Sequence, residues 1–288
     1  MIRATSLPGG PPFTLNVSVS GPVVYLDNWA IGSLAEGDGT RRKRFIRAIH
    51  SGMDLLFSVA NVVELSGLQG RSADMAKAFL NEIGDRWVPA ELDIIAVVNR
   101  ELAGADSISA CLSEQFIRDY TAHLVRSFPP KSGKVISLSD FFCLGGVLDW
   151  VGPQRKSNKE GCGKFDEVLK DKLVGVADKS NHSRSWLDEW FPRIPYSPDR
   201  PAHFVYQNLL RTLIEEAHAM KANDAMDFSH AVIGSAYGSF ATLDKHWKRR
   251  VENLPKPNGL ARTYYAPQLD QMVTDMETLL ATQPVENH

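Results

Sequence analysis

The sequence predicts an α/β fold built on an open parallel sheet, on two observations. Short, nearly continuous apolar segments recur at residues 23–26, 54–58 and 240–243, as is typical of strands buried on both faces of a parallel sheet. Segments with helical patterns follow these strands, and helical crossovers are what parallel strands require. Carboxylates fall next to the ends of these segments, where ligands bind in open α/β sheets.

Length and composition are those of a globular protein with a full core. The chain has 288 residues, 43% of them hydrophobic and 23% charged, so it can form one large α/β domain or a core with an insertion. The net charge of -2 excludes a polycation, so any nucleic-acid contact must come from a local basic patch. No apolar run is long enough to cross a bilayer, the N-terminus lacks the apolar core of a signal peptide, and we expect a cytoplasmic protein. The three cysteines, Cys111, Cys143 and Cys162, form no CxxC pair, which indicates neither a disulfide framework nor a zinc site.

The first predicted strand, residues 23–26, ends at Asp27. Asn28 plausibly starts the next helix, so the Asp27 carboxylate would lie at a crevice edge and suits a cation; alternatively it caps that helix. A basic cluster follows at Arg41, Arg42, Lys43 and Arg44. These residues form either a solvated helix face or an electrostatic footprint for a phosphate backbone.

The second predicted strand, residues 54–58, ends at Ser58, which can cap the following helix. Glu64 lies on the second turn of that helix among small apolar residues. An unpaired buried carboxylate is costly, so Glu64 predicts a metal or a basic partner, or else a salt-bridged glutamate on an amphipathic helix. Beyond it we predict a helix over 72–86, a brief strand at 87–88 and mostly helical structure to residue 221.

The segment 221–247 carries the remaining acidic candidates. Asp224 and Asp227 stand where a helix rich in small residues begins, and Asp244 follows the strand at 240–243. The alternative is that the first two cap a helix and Asp244 starts a solvated turn. A second basic cluster, with Lys245, Lys248 and Arg249, follows directly and could guide a phosphate backbone.

Four acidic motifs in this order resemble the PIN domain. The motifs are 23–27 (VVYLD), 58–65 (SVANVVEL), 223–230 (NDAMDFSH) and 241–244 (ATLD). The resemblance implies a three-layer α/β/α sandwich with a central parallel sheet. It covers residues 21–35, 54–88 and 221–250, and the chain departs from compact members by its length and by Asn28-Trp29 after the first aspartate.

The resemblance also implies a site and an activity. The acidic quartet would be Asp27, Glu64, Asp227 and Asp244, binding one or two Mg²⁺ or Mn²⁺ ions, with Asp224 as a rival or helper to Asp227. Supporting positions would be Thr242, Asn28, Ser58 and His230, although His230 is equally well explained as a packing histidine. Most PIN domains are metal-dependent nucleases, many of them ribonucleases that include the toxins of toxin–antitoxin pairs.

We therefore expect a metal-dependent nuclease that hydrolyses phosphodiester bonds, and more specifically an endoribonuclease. Its expected partners are RNA rather than DNA, an antitoxin or another regulatory protein, and a second copy of the chain. We do not expect it to bind a membrane. The alternatives are a PIN-like binding or scaffold module without catalysis and another Mg²⁺-dependent phosphoryl enzyme, such as a phosphatase. Residues 1–20 would form a flexible extension, 21–90 and 221–250 the PIN-like core, 91–220 a helical insertion and 251–288 a segment packing on the core.

Overall fold

The computed structural model describes residues 2–5, 14–91, 93–127, 144–154, 184–216, 224–255 and 257–282, with four single helical positions at 160, 164, 167 and 171. Within this part of the chain, no helix combines the length and apolar character needed to span a bilayer. Two of the three cysteines, Cys143 and Cys162, lie outside the described residues, and Cys111 is a buried free thiol.

The centre of the molecule is a five-stranded sheet in which every pairing is parallel. Its strands lie in the order β5-β4-β3-β6-β7. They are β3 (Val23–Tyr25), β4 (Asp54–Ser58), β5 (Trp87–Ala90), β6 (Phe240–Thr242) and β7 (Arg262–Tyr264). A separate antiparallel pair, β1 (Ile2–Thr5) and β2 (Thr14–Val17), lies within the predicted N-terminal extension.

Helices connect the strands. In the described residues they are α1 (Asn28–Glu36), α2 (Gly39–His50), α3 (Val59–Leu65), α4 (Gly70–Glu82), α5 (Ile94–Leu102), α6 (Ser107–Cys111), α7 (Glu114–Ser127), α8 (Leu144–Val151), α9 (Arg184–Trp190), α10 (Pro201–Glu215), α11 (Asp224–Tyr237), α12 (Lys245–Glu252) and α13 (Leu269–Thr282).

Helices cover both faces of the sheet. Because neighbouring residues of each strand point in opposite directions, they enter two different apolar clusters. Val24 and Leu55 join one apolar cluster with α1, α2, α4, α8 and α13. Tyr25 and Leu56 join the other cluster with α5, α10, α11 and α12. The predicted α/β class with a central parallel sheet is confirmed, and the arrangement is that of a helix–sheet–helix stack.

The predicted strands and the observed strands agree closely in the centre of the sheet. The apolar runs at 54–58 and 240–243 become β4 and β6, and the brief strand at 87–88 extends to Ala90 through Pro89. Proline is tolerated there because β5 lies at the edge of the sheet. The fifth strand, β7, comes from the C-terminal segment 251–288, for which we predicted packing on the core but no strand.

Candidate metal centre

The first part of the candidate site is the carboxyl edge of β3 and β6, which are neighbours in the sheet. Asp27 follows β3 and caps α1 by accepting a hydrogen bond from the Asn28 N–H at 2.6 Å. Its own N–H donates to Thr242 Oγ1 at 2.7 Å, which ties the two strand ends together. Asp244 follows β6 at the N-cap of α12, and its exposed carboxylate makes no capping bond. Both predicted strand-end aspartates therefore lie at the same edge.

The helix that follows β4 brings Glu64 to this edge. Ser58 caps α3 through a reciprocal pair of bonds with Asn61, as the sequence predicted for Ser58. Glu64 lies on α3 and accepts a hydrogen bond from the Asn28 side chain at its Oε2. Asn28 thus connects the helix after β3 to the helix after β4.

The start of α11 supplies the next acids. Because α11 ends just before β6 begins, its N-terminus lies at the carboxyl edge of the sheet. Asp224 is buried there and Asp227 is half-buried one turn later. Single ligand atoms of Asp224, Asp227 and His246 all lie within 4.8 Å of one another, and no other described group of three or more potential metal ligands is as compact.

The predicted quartet shares one electrostatic environment but does not form one compact ligand group. The charges of Asp27, Glu64 and Asp244 all act on Asp227. Among the described side chains, however, the compact group contains only Asp227 of these four, with Asp224 and His246 beside it. Asp227 is the residue common to both sets.

A continuous series of hydrogen bonds runs beneath these acids, from one helix to another. His230 Nδ1 contacts the Tyr25 hydroxyl, which lies 3.2 Å from Ser58 Oγ. Ser58 Oγ donates to Asn61 Oδ1 at 2.8 Å, and the Asn61 amide donates to Asn28 Oδ1 at 3.2 Å. Asn28 then donates to Glu64, so the series starts on α11 and ends on α3.

His230 is the other end of this series, and its second nitrogen faces the acids. The side chain is 2% exposed, and Nε2 has no hydrogen-bond partner. The nearest carboxylate oxygen, Glu64 Oε1, is 3.9 Å away, which is too long for a hydrogen bond. A buried polar atom without a partner is unusual and calls for an explanation.

Burial and mutual charge set the protonation of the site. Burial raises the pKa of Asp27 above its usual range, with His230 opposing the change. Burial, with Asp27 as the next cause, raises the pKa of Asp227 to about 7. Burial also favours a raised pKa for Glu64, but His230 and Asn28 outweigh it and the pKa falls below its usual value. Burial disfavours charged His230, yet Glu64, Asp27 and Asp227 raise its pKa.

The two predicted basic clusters have different surroundings. Three arginines of α2 form ion pairs: Arg41 with Asp270, Arg42 with Glu82 and Arg44 with Glu277. Lys43 of the same helix is exposed, as are Lys245 and Arg249 on α12, and Lys248 pairs with Glu252 four residues later. The α2 arginines thus join helices, while exposed cations follow Asp244 directly.

Three residues of the site were not singled out from the sequence. Tyr25 was counted only as an apolar strand residue, and Asn61 only as part of the α3 motif. His246 lies within the second basic cluster and was not considered as a metal ligand. Its position two residues after a strand-end aspartate was the available signal, because both then lie at the same sheet edge.

Comparison of the chain with family models, with curated proteins and with solved structures finds no match in any of the three.

Proposed function

We propose that the chain is a PIN-like, metal-dependent nuclease that hydrolyses phosphodiester bonds, with RNA as its substrate. The observation that carries this proposal is the gathering of carboxylates at the carboxyl edge of β3 and β6. Asp227 has a pKa of about 7 because it is buried near other carboxylates, and such crowding favours a bound cation. The four acidic motifs provide the link to the PIN domain.

The residues present fit a divalent cation. The compact group of Asp224, Asp227 and His246 offers three ligand atoms, and Asp27 interacts electrostatically with Asp227. A divalent ion held there supplies Lewis-acid activation of water and neutralises the charge of a phosphodiester. Mg²⁺ and Mn²⁺ are the ions that the resemblance implies.

The chain's own side chains would position the substrate and the attacking water. Asp27, held at the end of β3 by Thr242, faces the same crevice as Asp227. Glu64 has one oxygen engaged by Asn28, so its other oxygen is the one turned towards His230. Water attacks phosphorus in line, and the bond to the 3′ oxygen breaks. Exposed Lys245 and Arg249 would attract the phosphate backbone to this edge.

A cleavage assay tests the proposal. A fluorescent single-stranded RNA and the matched DNA are incubated with Mn²⁺ and with wild-type protein or Asp27→Asn. We expect wild-type protein to cleave the RNA and Asp27→Asn to be at least about 100-fold slower, since loss of one preorganised charged group at a reaction centre costs that much. Asp74→Asn, the same chemical change on the exposed side of α4, is the control and keeps wild-type activity.

Other outcomes would assign other functions. If the protein binds RNA without metal and cleaves neither nucleic acid, the proposed nuclease activity is refuted and a scaffold module is supported. Turnover of a small phosphomonoester with nucleic acid left intact would identify a phosphatase instead.

A further inference from the structure

The compact ligand group includes an imidazole, and the ion preference of the crevice follows from it. His246 occupies the first turn of α12, beside Asp244 and directly before Trp247. Trp247 is 1% exposed and the Arg250 guanidinium lies 5.0 Å above its ring, while Arg250 also pairs with Glu216 at 2.7 Å. This packing holds the first turn of α12 in place, so the position of His246 is supported by buried neighbours.

The spacing of the three ligand atoms is suitable for one ion. Atoms bound to the same ion at about 2.1 Å each lie at most about 4.2 Å apart. The atoms of Asp224, Asp227 and His246 lie within 4.8 Å of one another, so small side-chain movements bring all three onto a shared ion.

The hydrogen-bond series provides a second, independent observation. Asn61 Nδ2 donates to the Leu26 carbonyl oxygen, which can only accept, so Asn61 Oδ1 is the acceptor for the Ser58 hydroxyl. Ser58 has no second proton, so the Tyr25 hydroxyl donates to Ser58. Tyr25 oxygen then accepts from His230.

It follows that His230 carries a proton on Nδ1 and, in its neutral form, a lone pair on Nε2. That nitrogen is the buried atom without a partner that lies 3.9 Å from Glu64. Imidazole side chains therefore lie on two of the helices that begin at this edge of the sheet, His246 on α12 and His230 on α11. The surrounding carboxylates raise the pKa of His230, and a cation bound among them would favour its neutral form, in which Nε2 can accept a hydrogen bond from a coordinated water.

We propose that Asp224, Asp227 and His246 form a binding site for a first-row transition-metal ion in preference to Mg²⁺. Mg²⁺ takes oxygen ligands almost exclusively, whereas imidazole suits the later divalent ions, and affinity rises from Mn²⁺ towards Zn²⁺. The proposal narrows the ion of the proposed nuclease and rests on that function for its biological meaning, although ion preference is measurable without cleavage.

Calorimetric titration of the metal-free full-length protein tests the proposal with Mg²⁺, Mn²⁺ and Zn²⁺ in turn. We expect Zn²⁺ to bind at least about 100-fold more tightly than Mg²⁺, with the affinity for Mn²⁺ between the two. His246→Asn should lose about 10- to 100-fold in affinity for Mn²⁺ and Zn²⁺ while its Mg²⁺ affinity is unchanged. His50→Asn, at an exposed histidine of α2, is the matched control and should titrate as wild type.

A spectroscopic readout separates a ligand from a merely structural residue. Cu²⁺ bound to wild-type protein should show imidazole nitrogen couplings by pulsed electron paramagnetic resonance, and His246→Asn should lose the coupling of one imidazole. Equal affinities for Mg²⁺ and Zn²⁺, or a His246→Asn variant that binds Zn²⁺ like wild type, would overturn the proposal. If His246→Asn weakens metal binding but the wild-type protein cleaves no RNA, only the proposed nuclease activity is refuted. If Mg²⁺ supports RNA cleavage and His246→Asn leaves that cleavage unchanged, only the proposed metal site is refuted.

Discussion

At the residue scale, the main feature of this protein is the group of carboxylates that lie near one another at one edge of the sheet. Burial raises the pKa values of both Asp27 and Asp227, the charges of Asp244 and Glu64 add to both increases, and the charge of Asp27 adds to that of Asp227. A nearby histidine, His230, offsets part of the repulsion. A site of this kind is costly to keep unless it serves a purpose, and perturbed pKa values are common at functional sites.

The stability of the metal-free protein should reflect Asp227. Its pKa is about 7 in the folded protein and near its usual value of 3.8 when unfolded, so the folded state holds the proton more tightly. Between these values the folded state binds more protons, and stability from this group falls as pH rises. We expect Asp227→Asn to reduce this loss and to be more stable than wild type at pH 8, by on the order of 2 kcal/mol after allowing for solvent screening.

Urea unfolding in the presence of a chelator at pH 4, 6 and 8 measures this effect. The difference between wild type and Asp227→Asn should grow from pH 4 to pH 8, and saturating metal should reverse it in favour of wild type. A difference that is constant across this range would contradict the assignment of the raised pKa to Asp227.

Residue types and their local patterns were enough to single out acidic residues that act on one another electrostatically. Asp27, Asp227 and Asp244 were identified because each is next to a predicted strand or helix boundary, and Glu64 because it lies among small apolar residues. Tyr25 and Asn61 could not be identified, since a tyrosine in a buried strand and an asparagine in a helix gain their role only from partners far along the chain.

At the element scale, the packing of α11 on β3 determines where His230 and Tyr25 meet. Gly234 lies one turn after His230, and a Cβ at this position would come within 2.6 Å of Tyr25 Cδ1. The absence of a side chain at Gly234 allows the helix to approach the tyrosine ring closely. The ring cannot move aside easily, because Tyr25 is fully buried.

Gly234→Ala should therefore be destabilising. We expect a loss of about 1–3 kcal/mol in the free energy of unfolding, as for other overpacked cores, together with weaker binding of Mn²⁺ because Tyr25 no longer positions His230. Gly32→Ala is the matched control: Gly32 lies within α1, and an added Cβ meets nothing within 4 Å. That change should raise stability by about 0.5–1 kcal/mol. Similar effects of the two substitutions in urea unfolding would refute the packing argument.

The pattern of apolar residues was sufficient to predict the buried central strands but not the edge strand β7. The apolar runs that became β3, β4 and β6 lie in the middle of the sheet, where burial on both faces leaves a continuous signal. The edge strand β7 begins with exposed Arg262 and continues with Thr263, so its residues form no continuous apolar run. Its pairing with β6 depends on tertiary contacts.

At the scale of the whole molecule, the distribution of positive charge separates structural cations from those available to a ligand. Arg41 and Arg44 connect α2 to α13 through Asp270 and Glu277. Such exposed ion pairs contribute little to stability. Lys245 and Arg249 are exposed on α12 close to the acidic edge.

The salt dependence of RNA binding should distinguish the two groups. In an Asp27→Asn background, which prevents cleavage, we expect Lys245→Ala with Arg249→Ala to lower the slope of log affinity against log salt by about 1.4, or 0.7 for each lost phosphate contact. Arg41→Ala should leave the slope unchanged, because its guanidinium is engaged by Asp270. Fluorescence anisotropy with a single-stranded RNA between 50 and 200 mM salt, roughly the range over which such contacts respond, measures both. A slope that falls only in Arg41→Ala would contradict this division.

The fold class was easier to predict from the sequence than the set of residues that build the core. The α/β class followed from the order of apolar runs and helices, whereas the contribution of residues outside the motifs did not. The helix α10, within the predicted insertion, packs against α11 and covers one face of the sheet. The boundary between an insertion and a helix layer that covers the sheet depends on tertiary packing. A single sequence does not show that packing.

The central claim is that the carboxyl edge of β3 and β6 holds a divalent ion. Anomalous diffraction from crystals soaked in Mn²⁺ tests it most directly. We expect a strong peak bonded to Asp227, within coordination distance of Asp224 and His246 and on the same side of the sheet edge as Asp27. A crevice without any peak at saturating Mn²⁺ would contradict it.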